Sequence, residues 1–178
     1  MLLHGTKSKL IEFLDEDLSR GDVTSALVPH SKASAKIIAK ESCIIAGLEE
    51  ARYLFNYRHV KATAKAKDGK KVRKGQTVLL LKGDNRHILE VERTALNVIS
   101  RMSAVASACA EAQKLAGKKV KVALTRKTMP GLNLFDKKAA KLTGVWPHRL
   151  NLNEAVLLKE NHLLFFDSIE GAVKNAKE

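Results

Sequence analysis

Apolar residues recur at helical spacing from Lys7 to Leu18, where Leu10, Ile11, Phe13, Leu14 and Leu18 share one side. The spacing predicts a helix there. Arg20-Gly21-Asp22 ends it, its glycine suited to the left-handed turn past a last helical residue. Ala33 to Ala46 reads as strand, short turn and strand, and Gly47 to Phe55 as a helix. From Val60 to Val91 the apolar positions fall in short runs punctuated by Gly69, Gly75 and Gly83, a β pattern. Ile88 to Leu115 predicts a long helix, with Val91, Ala95, Leu96, Ile99, Met102, Val105, Ala106, Cys109 and Ala112 as its stripe. Gly117 closes it. Beyond lie two apolar runs read as strands, Val120 to Leu124 and Ala155 to Leu158, and two helices, Leu134 to Leu142 and Ile169 to Ala176. Strand, helix, strand, helix in that order implies parallel pairing with right-handed crossovers.

The fold class that follows is α/β. Residues 1–117 form an α+β amino-terminal domain containing a long helix over about 88–115. Residues 118–178 form the first βα units of an open or incomplete α/β barrel. A closed (β/α)₈ barrel typically takes about 250 residues, whereas the stretch after Lys118 has room for about two units. Two units alone leave a strand edge unpaired and an apolar face uncovered. The expectation is a chain whose barrel is completed by a further segment or a second chain.

Charge narrows the partners. The 178 residues carry 32 Lys and Arg against 19 Asp and Glu, a net charge of +13. Such an excess suits nucleic acid, an anionic membrane face, or phosphorylated and carboxylated small molecules. The one Trp and two Tyr do not interleave with the basic runs as stacking platforms would, and no helix-turn-helix, zinc-finger or RNA-recognition pattern is present. Dispersed lysines such as Lys61, Lys65, Lys67, Lys70, Lys71 and Lys74 read as a solvated basic face. The expected partners therefore include neither nucleic acid nor membrane. Asp68 to Val78 has the strand-turn-strand pattern of lipoyl- and biotinyl-type folds, without the hairpin-tip lysine that a swinging arm needs. Cys43 and Cys109 stand far apart in apolar contexts and read as buried free thiols. With no long apolar stretch and no signal-peptide pattern, the expected location is the cytoplasm.

The candidate chemistry lies between Thr125 and His162. Thr125-Arg126-Lys127-Thr128-Met129-Pro130-Gly131 follows the first apolar run, His148-Arg149-Leu150 comes next, and Lys159-Glu160-Asn161-His162 follows the second run. In parallel α/β folds ligands collect at the carboxyl ends of strands. Cations emerging from successive strands can converge there on one substrate bearing several negative charges. Each cluster also has a plain structural reading. Arg126 and Lys127 before Met129-Pro130-Gly131 suit a solvated turn, Lys159 and His162 an ordinary strand end, and Arg93 an intrahelical pair with Glu90 or Glu92. Asp17 and Asp22 suit helix ending and turn formation rather than metal binding.

Taken together the motifs point further. Glu92-Arg93-Thr94-Ala95-Leu96-Asn97 followed by Ser103-Ala104-Val105-Ala106-Ser107, the Thr125 to Leu132 loop, His148-Arg149-Leu150 and Leu158-Lys159-Glu160-Asn161-His162 occur in that order. Upstream stand Glu16-Asp17, Gly21-Asp22-Val23-Thr24 and Ala46-Gly47. This series resembles the quinolinate phosphoribosyltransferases, also called nicotinate-nucleotide pyrophosphorylases (carboxylating), over nearly the whole chain. The resemblance implies an open-faced α/β barrel with an appended amino-terminal domain, assembled as dimers or multiples of dimers. It implies a pentosyltransferase of NAD biosynthesis, moving phosphoribose from phosphoribosyl pyrophosphate to quinolinate. Carbon dioxide and pyrophosphate leave, giving nicotinate mononucleotide, with Mg2+ accompanying the pyrophosphate.

By position, the resemblance assigns Arg126, His148 and Arg149 to the quinolinate carboxylates, with Thr125 beside them in the loop. Lys127 and Lys159 would act between the acid and the phosphoribosyl donor as catalytic groups, and Arg93 would reach a neighbouring subunit's site. The ligands of Mg2+ are expected outside this chain, and no metal-binding residue is assigned within it. Two adjacent carboxylates suit guanidinium forks, and cations near the ring lower the cost of the charge left by decarboxylation. His148 suits either a neutral orienting group or a charged clamp. Leu124 stands where the family usually has an acidic residue, and Thr143-Gly144-Val145-Trp146-Pro147 where it usually has a run of glycines. That stiffer loop admits a related pyrophosphorylase with another acceptor. A non-catalytic anion-binding or assembly subunit is the reading from a different class. This chain alone is not expected to turn substrate over.

Overall fold

The computed structural model describes residue 2 and residues 4–177. Helix α1 covers His4–Leu18 and ends as its spacing predicts, with Gly21 at φ 79° donating its N–H to the Leu18 carbonyl. Asp22 then builds the next turn. Its carboxylate accepts the Thr24 and Ser25 N–H groups at 3.0 and 2.9 Å, and it takes a further bond from the Ser25 hydroxyl. Those bonds, led by the hydroxyl, lower the Asp22 pKa below the ordinary aspartate value. The acidic residue of the Gly21-Asp22-Val23-Thr24 motif is thus a turn former.

Strands β1 (Lys32–Ile38), β3 (Lys61–Ala64) and β5 (Thr77–Asp84) make an antiparallel sheet in the order β1-β5-β3. In its register Ala35 lies opposite Leu81 and Ala62 opposite the same Leu81, so alternate residues of all three strands share a face. That face packs on helices α2 (Leu48–Tyr57) and α3 (Asn85–Ala116), burying Leu54, Phe55, Leu79, Leu81, Val91 and Met102. The other face carries Lys32, Lys36, Lys61, Lys65 and Lys82, all exposed. A shorter pair, β2 (Cys43–Ile44) and β4 (Lys71–Val72), lies to one side.

Gly47 starts α2 in a left-handed conformation, φ 94°, and presses on α3. A Cβ there would meet the Ile99 Cα at 3.1 Å and the Met102 Sδ at 3.2 Å. Glycine offers no capping side chain, so Asp68 reaches across to accept the Leu48 and Glu49 N–H groups at 3.0 and 3.2 Å. The serines of Ser103 to Ser107 face the same place. The Ser103 hydroxyl accepts from the Ala46 N–H and donates to its carbonyl, and the Ser107 hydroxyl accepts from the Ile44 N–H at 2.9 Å.

The β pattern read to Val91 stops at Asp84, because Asp84 caps α3 by accepting the Arg86 N–H at 2.9 Å. Helix α4 (Asn133–Lys141) lies against α3, with the Phe135 ring 5.7 Å from that of Phe13. Two expected strands take a different form. Among the described residues Val120 to Leu124 forms no ladder; it pairs through a parallel bridge from Ala123 to Trp146, with the Leu124 N–H on the Trp146 carbonyl at 2.9 Å. Ala155 to Leu158 is irregular and mostly exposed, since no ladder partner stands beside it among the described residues. Short helices α5 (Glu160–Leu163) and α6 (Ile169–Asn175) follow. Among the described residues no helix is long and apolar enough to cross a membrane.

Candidate functional site

Residues 125–131 form a turn ahead of α4. The Thr125 hydroxyl accepts the Lys127 N–H at 3.1 Å, and Gly131 takes φ 81° so that Leu132 can close back on the Met129 carbonyl at 3.0 Å. Between this turn, the first turns of α4 and residues 150–152 opens a cleft of about 450 Å³. Arg126, Thr128, Asn133, Lys137, Leu150 and Asn151 are among its walls.

Leu150 lines this cleft, Arg149 is not among its walls, and His148 lines another cleft of about 460 Å³ with Glu49, Glu50 and Lys138; the segment has an unusual conformation. His148 is non-glycine yet sits at φ 57°, a left-handed backbone that costs energy unless its surroundings enforce it. Three contacts do so. The His148 Nδ1 accepts the Arg149 N–H at 2.8 Å, so that nitrogen carries no proton in this geometry. The imidazole lies 4.9 Å from the Trp146 ring at an interplanar angle of 45°. The Lys137 Nζ donates to the Pro147 and Arg149 carbonyls, the latter at 3.1 Å, straddling the histidine between them.

Arg149 donates through Nη1 to the Ala155 carbonyl at 2.7 Å, while its buried Nε has no hydrogen-bond partner among the described residues. The Leu150 N–H donates to Glu154. Lys137 itself is only 5% exposed. Burial lowers its pKa below the ordinary lysine value, Glu154 opposes that shift, and the nearby charge of Arg126 adds to it. Arg126 and Lys137 thus feel one another across the cleft.

The other candidates sit apart. Lys127 is exposed and does not line the Arg126 cleft. Lys159 is exposed at the start of α5, its N–H on the His162 Nδ1 at 3.1 Å, and it too stands outside that cleft. Arg93 lies exposed on α3 and lines a second cleft of about 550 Å³ with Glu16, Asp17, Asn97 and Arg101. Glu90, one of its two expected intrahelical partners, is instead paired with Arg58. Met129 borders both clefts, so the 125–131 loop is the wall between them. The Thr94 hydroxyl approaches Asp17 at 3.5 Å, joining the Glu16-Asp17 and Glu92 to Asn97 motifs in space. No group of three or more His, Cys, Asp or Glu among the described residues is placed to hold a metal ion.

Sequence reasoning missed the residues that anchor this region. Asp136, Lys137 and Lys138 are consecutive on α4, and each serves a different partner. Asp136 takes a fork from Arg101 of α3, Nε at 2.9 Å and Nη2 at 2.8 Å. Lys137 holds the 147–149 backbone, and Lys138 reaches Glu49 and Glu50 of α2 at 2.6 and 2.7 Å. A signal was present, since Asp136 falls one turn before Ala140, a core residue on the same helical side.

Two family models match residues 22–178 between them. One describes the amino-terminal domain of quinolinate phosphoribosyl transferase and matches residues 22–103. The other describes the carboxyl-terminal domain and matches residues 104–178, so the two meet within α3. A probable nicotinate-nucleotide pyrophosphorylase (carboxylating) of Archaeoglobus fulgidus is 36% identical over 86% of this chain and 60% of its own length. One from Bacillus subtilis is 34% identical over 97% of this chain and 61% of its own. The solved nicotinate-nucleotide pyrophosphorylase of Francisella tularensis superposes with a TM-score of 0.92 at 35% identity, covering 97% of this chain and 63% of that one. The chain thus spans about three fifths of the length of these relatives.

Proposed function

The chain belongs to the quinolinate phosphoribosyl transferase family, and from that premise we propose that it serves phosphoribosyl transfer to quinolinate. Phosphoribosyl pyrophosphate is the donor, carbon dioxide and pyrophosphate leave, and nicotinate mononucleotide is the product. The observation that supports this best is the Arg126 cleft, which Arg126 shares with Lys137 and with 150–152, the residues directly after His148-Arg149. In this reading Arg126, His148 and Arg149, with Thr125 shaping their loop, hold the acceptor's carboxylates. The guanidinium charges of Arg126 and Arg149 offset the negative charge that decarboxylation leaves on the ring.

Lys127 and Lys159 neutralise the departing pyrophosphate once the donor draws them in, and Arg93 serves a neighbouring subunit. In this reading the working form is a homo-oligomer built from dimers, acting in the cytoplasm. Mg2+ enters with the donor's phosphates. Residues 1–117 serve as the amino-terminal domain and 118–178 as the opening units of the barrel, which a further segment or chain completes before turnover. A non-catalytic anion-binding role is the second reading, favoured by Lys127 and Lys159 standing outside the cleft.

Thermal unfolding with and without quinolinate tests the acceptor site, because a ligand that binds only the folded state raises stability by about 2.7 kcal/mol at a hundredfold excess over its Kd. Protection by quinolinate that disappears in Arg126→Ala supports the proposal. Equal protection of both forms, or none in either, refutes it. Turnover when donor, Mg2+ and the completing segment are supplied separates the catalytic from the binding-only reading.

A further inference from the structure

Lys137 is the best-placed charged group without a part in the proposed chemistry. We propose that Lys137 is a positioning residue that holds the His148-Arg149 segment in register with Arg126, and so sets the geometry of the acceptor's carboxylate site. This inference rests on the functional reading above for its ligand, but its geometry stands on separate observations.

The side chain is 5% exposed, and its Nζ is spent on the Pro147 and Arg149 carbonyls, one on each side of His148. Those two bonds bracket a left-handed residue, φ 57°. Before it, the Trp146 N–H and carbonyl bond Val122 and Leu124; after it, the Arg149 N–H turns back on the His148 Nδ1 and Glu154 takes the Leu150 N–H. An ammonium has three donors and no acceptor, so it can bind two carbonyls at once and order the turn between them. Lys137 is also rooted on a fixed element. Its neighbours Asp136 and Lys138 are tied to α3 and α2, so α4 has little freedom to slide. Arg126 lies on the same cleft as Lys137. The lysine therefore transfers the position of the helical body to the loop that bears His148 and Arg149. Residues that hold the binding groups in place matter as much as the groups themselves, because small displacements cost large factors in binding or rate.

The lone tryptophan provides a direct readout, since Trp146 packs on His148 and adjoins Pro147. The experiment compares the parent chain with Lys137→Met, which keeps length but no donor, and Lys137→Arg, which keeps donors. Acrylamide quenching of Trp146 fluorescence and quinolinate affinity by calorimetry are measured for all three, with circular dichroism verifying the fold. The expected result is easier quenching and about tenfold weaker quinolinate binding in Lys137→Met, consistent with the loss of a buried charged donor, with both restored in part by Lys137→Arg. Unchanged quenching in a folded Lys137→Met variant overturns the proposal. So does altered quenching with quinolinate affinity within about twofold of the parent, well inside the effect expected of a lost buried donor. If the parent chain itself fails to bind quinolinate, the functional reading falls instead, and the quenching comparison alone decides whether Lys137 holds the loop.

Discussion

Phe135 is 2% exposed and Phe165 is 87% exposed. The first belongs to the body built on α1 to α4, where the sheet's apolar face and four helices leave one continuous core. The second belongs to the stretch after α4, where Leu152, Val156, Leu164 and Ile169 are exposed as well. The candidate cations of the site, Arg93 aside, all lie after α3. What this difference teaches is that the binding loops rest on little core of their own, a small cluster of Cys109, Ala140 and Val145 with Val122 and Leu124 against it. They are shaped by a few polar latches, Asp136, Lys137 and Lys138, that carry the order of the body outward.

Four measurements bear on that contrast. The largest expected effect is Phe135→Ala, which should lower unfolding free energy by about 3–5 kcal/mol, because the ring is buried and packs on Phe13. Denaturant titration checks it, and a loss below about 1 kcal/mol, small against the usual cost of such a truncation, would mean the body is loosely packed there. Next, Lys138→Ala strands the buried Glu50 carboxylate and should cost about 3 kcal/mol. Replacing the pair by Glu50→Leu with Lys138→Met should recover most of that, since desolvating two charges gains little over apolar packing.

The third measurement concerns pH. Burial raises the Glu50 pKa above the ordinary glutamate value, with Lys138 opposing that shift. The folded state then holds the proton at pH values where the unfolded chain has released it. Stability therefore falls as pH rises from the ordinary glutamate range to the elevated one, by at most about 1.4 kcal/mol per pH unit. Glu50→Gln should flatten that slope in melting curves recorded across the interval, and parallel slopes would count against it. The smallest effect is Phe165→Ser, expected within about 0.5 kcal/mol because the ring is almost wholly exposed. A large loss would show that the later stretch is held more firmly than its surface indicates.

The same contrast governs how much could be read from residue order. Helices α1, α2, α3, α4 and α6 follow from local spacing, because a helix satisfies its backbone within itself. The Asp22 turn was legible for a similar reason, as its bonds reach only two and three residues onward. Ala155 to Leu158 has strand composition but no strand, because a strand depends on a partner at long range. Within the candidate site Arg126 was legible from its motif, and the structure gives it a cleft. Lys137 was not, because lysine and aspartate on a short helix ordinarily belong to the surface. The burial of Asp136 depends on Arg101, far away in the chain, and that of Lys137 on the Pro147 and Arg149 carbonyls beyond the helix's end.

The close approach of Gly47 to α3 has a mechanical consequence. Ile99 rests on a glycine hydrogen as on a fulcrum, and Arg93 lies roughly 9 Å farther along the same rod at the helical rise. A methyl group inserted at Gly47 would wedge the rod outward, and the swing would grow toward the end bearing the guanidinium. Aim at a distance is therefore built into the smallest residue of the fold.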